Sequence, residues 1–103
     1  MSFVATLVQA ANSYRNAAIQ CIVNKADPYN AITFYRNMLA MLPPEYQKTI
    51  HLPEEPKFLR EFTNDPDMSL EQEKVWIYVR EYSYIVEQTL AKYASENMAA
   101  LKL

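Results

Sequence analysis

There is no glycine anywhere in the 103 residues. Glycine reaches positive φ without steric cost and lets the backbone approach phosphates and oxyanions closely, so tight β-hairpins and nucleotide-binding loops are not expected. Cysteine and histidine occur once each, as Cys21 and His51. A lone cysteine closes no internal disulfide, and the pair supplies no zinc-ligand spacing. A nucleophile–base pair would have to join Cys21 or a hydroxyl to His51, which falls in a proline-bounded linker. Without a Gly-rich loop, a metal set or a triad, neither catalysis nor a cofactor is expected. Long apolar runs are missing as well. Gln9, Asn12, Ser13, Arg15 and Asn16 interrupt the first segment, and no run approaches the ~18 to 20 residues that cross a bilayer. The chain is therefore read as soluble or peripheral to a membrane. A formal charge of −2 with no clustered basic face gives no reason to expect nucleic acid.

All six prolines lie between Pro28 and Pro66, which leaves both ends free for long helices. Residues 1–103 read as one all-α domain, three long helices in a small bundle, with a Pro-rich connector carrying one or two short helices. A domain this small buries well under three quarters of its unfolded surface and has one modest core. Charge is unevenly spread. Residues 54–74 hold seven acids against Lys57, Arg60 and Lys74, a net −4, so the remainder is +2. Glu54, Glu55, Asp65 and Asp67 sit in polar stretches and read as a solvated run rather than tuned catalytic acids. Residues 1–26 contain no acid. That segment has the amphipathicity of a mitochondrial import sequence but only Arg15 and Lys25 as cations, so an ordinary first helix is expected.

This first helix is expected from about Ser2 to Asn24, with Val4, Leu7, Ala11, Tyr14, Ala18 and Ile22 at helical spacing. Asn12, Asn16, Gln20 and Asn24 form an i, i+4 strip of uncharged amides on another side. A solvated face normally carries lysine and glutamate, whereas hydrogen-bonding groups without charge suit a desolvated contact. Asn12, Asn16 and Gln20 are therefore candidate partner-binding residues. Asp27 should cap a second helix that has Pro28 at its first position and stops at Pro43-Pro44. Its apolar stripe is Ala31, Phe34, Tyr35, Met38, Leu39 and Leu42. Short helices are expected near Glu45–Ile50 and Pro56–Phe62, the latter anchored by Phe58, Leu59 and Phe62. Ser69 and Gln72 form a capping box for the last helix.

That last helix spans at least residues 70–94. Its polar positions recur every seven residues, at Glu73-Lys74, Arg80-Glu81 and Glu87-Gln88, with VWIYV and YSYIV between them. An amphipathic surface helix shows water a broad polar side; here apolar and aromatic residues surround most of the circumference. A short chain covers only part of that, so another protein should cover the rest, and Trp76, Tyr78, Tyr82, Tyr84 and Ile85 are the candidate contact residues. Tyr35, Tyr78 and Tyr82 would also suit a ligand pocket within the bundle, but aromatics at helical spacing are expected in core or interface.

Phe34-Tyr35-Arg36, followed by MLAMLPPEYQ and by FLREF at Phe58–Phe62, resembles the LYR-motif family of small mitochondrial three-helix proteins. The matching positions are Tyr35, Arg36, Arg60 and Phe62. Leu42-Pro43-Pro44 is similar to the branch that assists assembly of succinate dehydrogenase. The resemblance implies an accessory or assembly subunit of a respiratory complex, with Arg36 contacting an acidic partner and often with an acyl carrier protein whose acyl chain enters the bundle. Phe34 stands where the family has leucine, a helix precedes the motif, and Arg36 is the only cation of its helix. An acidic carrier needs a positive surface, so acyl carrier protein is not expected as a partner. The stretch KADPYNAITFYRNMLAMLP is also similar to half a tetratricopeptide unit, without the second copy a solenoid needs. It further resembles the helix 1 to helix 2 junction of microtubule-interacting-and-transport domains, but the charged third helix of those domains is replaced here by VWIYVREYSYIV. The expectation is a non-catalytic subunit that binds other protein subunits of a large complex, in the mitochondrial respiratory chain or otherwise in the cytoplasm. The alternative is a free-standing adaptor that holds a partner helix or peptide in a groove.

Overall fold

A computed structural model describes residues 3–24, 27–60 and 69–98. Four helices form: α1 (Phe3–Val23), α2 (Pro28–Ala40), the single turn α3 (Pro44–Gln47) and α4 (Ser69–Met98). No strand occurs among the described residues, and the all-α bundle of three long helices is the observed architecture.

Local chemistry explains the boundaries. The Asp27 carboxylate accepts the Tyr29 N–H at 2.9 Å, and Pro28 occupies the first turn, where its missing donor costs nothing. Pro43 and Pro44 end α2 and open α3. The Tyr46 hydroxyl donates to Glu96 and accepts from Asn97 at 3.0 Å, while its ring meets Tyr93 edge-on at 5.4 Å. These contacts fasten α3 to the far end of α4. The second short helix expected near Pro56–Phe62 is a turn over its described part, closed by the Leu59 N–H on the Pro56 carbonyl at 3.3 Å. Leu59 nevertheless anchors the connector, fully buried, with Phe58 packed at the edge of the core; Phe62, Asp65 and Asp67 lie outside the described residues.

The core forms where α2 packs against both α1 and α4. Alanines at Ala11, Ala18 and Ala31 are completely covered, and such small side chains bring neighbouring backbones close. Ile32, Tyr35 and Met38 fill the centre from α2; Val75, Val79 and Val86 fill it from α4. Because α4 has two neighbours, it buries a broad face that also takes in Tyr78, Tyr82, Thr89, Leu90 and Tyr93. Arg15 of α1 reaches Glu87 of α4 at 2.8 Å. Both side chains are partly exposed, so this pair contributes under about 1 kcal/mol.

Candidate functional site

The register of α2 sends the three side chains of Phe34-Tyr35-Arg36 to different neighbours. Phe34 is half-buried and meets the Tyr14 ring of α1 with centroids 6.3 Å apart. Tyr35 is only 1% exposed, and its hydroxyl lies near Ser83 and the Arg15–Glu87 pair. Burial pushes this tyrosine above its usual range, and the Glu87 charge acts in the same direction. Arg36 turns to the other side. Its guanidinium sits beside the Tyr78 and Tyr82 hydroxyls, 3.8 Å from a Glu55 oxygen and 5.9 Å from the centre of the Tyr29 ring. Arg60 approaches the same carboxylate at 3.3 Å and the same ring at 5.2 Å.

Glu55 is therefore shared by two arginines and ties the connector to α2. The acidic contact of Arg36 comes from its own chain. Tyr78 and Tyr82, expected from the sequence to face a partner, are 6% and 3% exposed and lie 5.8 Å apart beneath Arg36. Burial pushes both above the usual tyrosine range and Arg36 pulls them back. They belong to the inner face of the bundle because α2 covers the side of α4 that the sequence pattern left open.

Arg36→Leu should lower stability by about 1–3 kcal/mol, since it strips two covered hydroxyls of their cationic neighbour. Glu55→Gln should cost less than about 1 kcal/mol, because the carboxylate and both arginines are partly exposed. Urea denaturation of the two variants checks this ranking, and equal losses would refute it.

Two faces remain open. The first is the outer side of α4. Tyr84 is 66% and Ile77 37% exposed, and they line an open hollow of about 510 Å³ with Arg80, Glu81 and the half-buried Ile85. Trp76 is half-buried against the core and belongs to the flank of this face. The pattern of apolar stretches does not single out Ile77, although its seven-residue spacing from Tyr84 puts both on one side of the helix.

The second open face is on α1. Asn12, Asn16 and Gln20, placed on one side of the helix by their i, i+4 spacing, are all exposed, and Ser13, Tyr14 and Val23 accompany them. The only charged residue in the 21 residues of α1 is Arg15, which is tied to Glu87. The solvent side of a full-length helix thus offers amide and apolar groups with no unpaired charge. A shallow groove of about 380 Å³ between α1 and α4 continues it, lined in part by Val8, Asn12, Leu90, Ala91 and Ala94.

His51 is exposed and Cys21 is a half-buried free thiol. Among the described residues no group of three or more histidine, cysteine, aspartate or glutamate side chains could hold a metal ion, and no helix is long and apolar enough to cross a membrane. Comparison with family models, curated proteins and solved structures found no match.

Proposed function

We propose that this chain is a non-catalytic accessory subunit of a larger protein assembly, docked through α1, and that the assembly belongs to the mitochondrial respiratory chain. The observation that carries the reading is the uncharged outer face of α1. Ordinary solvated helices keep lysine and glutamate outward, whereas α1 keeps its one cation paired and turns Asn12, Asn16 and Gln20 to the outside. Side-chain amides at such a contact donate and accept hydrogen bonds without the desolvation cost of an ion. The partner surface that fits is another protein with neutral hydrogen-bonding groups between apolar ones. The respiratory assignment rests on the Phe34-Tyr35-Arg36 triplet, the Leu42-Pro43-Pro44 that follows it and the acid-free first helix. Acyl carrier protein is left out of the proposal, since the one cation of α2 is already engaged with Glu55, Tyr78 and Tyr82.

Asn16→Glu should reduce incorporation of the chain into its assembly several-fold, because it places an unpaired charge in a desolvated contact. Native electrophoresis of mitochondrial extracts, probed for the tagged chain, reads the effect. Asn16 is exposed, so the variant should fold normally; normal incorporation of a folded variant refutes docking through α1. A tagged chain outside the mitochondrial fraction refutes the respiratory assignment alone.

The groove between α1 and α4 favours a second reading, an adaptor that seats a partner helix along Leu90, Ala91 and Ala94. An obligate subunit should be degraded when its assembly is lost, whereas an adaptor should persist at normal abundance.

A further inference from the structure

We draw no further inference here: the strongest candidate, the exposed strip of α4 around Ile77 and Tyr84 with its open hollow beside Arg80 and Glu81, is an unpartnered face, and nothing in the structure shows what covers it.

Discussion

Tyr35→Ala is expected to remove about 3–5 kcal/mol of stability, the usual cost of deleting a fully buried aromatic ring. A domain of this size holds about 5–15 kcal/mol in total, so the loss is a large fraction of the whole and the denaturation midpoint should fall sharply. Tyr35→Phe keeps the ring and loses only the hydroxyl beside Ser83, and should cost about 1 kcal/mol. Denaturant titration followed by circular dichroism measures both. The comparison also decides what the LYR-like triplet does here. If Tyr35 were mainly a partner contact, its alanine variant would fold and fail only to assemble. The packing of Tyr35 among α1, α2 and α4 predicts the reverse order, with loss of the fold first and loss of assembly as its consequence.

The helix boundaries were legible because their causes are local. Asp27 and Pro28 start α2, Pro43 and Pro44 end it, and the periodic apolar residues of α1 mark its covered side within one or two residues. The confinement of all six prolines to residues 28–66 likewise leaves both ends of the chain to long helices. The exposed strip of α1 was readable for the same reason, since i, i+4 spacing fixes which residues share a side whatever the rest of the chain does. Tyr14 is a partial exception, placed at the edge of the stripe and left 37% exposed against Phe34.

What sequence could not show is how many neighbours α4 has within the chain. Apolar residues around most of a helix require cover, but the pattern does not say who supplies it. Here α2 and α1 both lie on α4, which consumes Tyr78 and Tyr82 inside the bundle and leaves a narrower outer strip centred on Ile77 and Tyr84. The acidic contact of Arg36 was illegible for a related reason. Glu55 lies 19 residues further on in an irregular connector, where no periodicity relates the two positions. Pairing across a loop depends on the loop's path, and only the fold sets that.

Strong alkali should unfold the protein cooperatively, because three buried tyrosines hold their protons more tightly in the fold than in the unfolded chain. Burial pushes Tyr35, Tyr78 and Tyr82 upward; Glu87 reinforces the shift at Tyr35, and Arg36 offsets part of it at the other two. An unfolded tyrosine titrates near pH ~10. Below that value both states keep the proton and these residues add no pH dependence, so their full contribution to stability is present. Above it the unfolded chain releases protons that the folded chain retains, and stability falls until the pH has passed the folded values. Each tyrosine can contribute up to about 1.4 kcal/mol per pH unit across that window. Denaturant midpoints measured from pH 8 upward should therefore be flat with respect to these groups at first and then fall steeply. Tyrosinate absorbance from the three buried rings should grow in only as helical circular dichroism is lost. Tyr78→Phe, which removes one such proton, should flatten the decline. Ionisation of all eight tyrosines with the helices still intact would show instead that burial does not hold these protons.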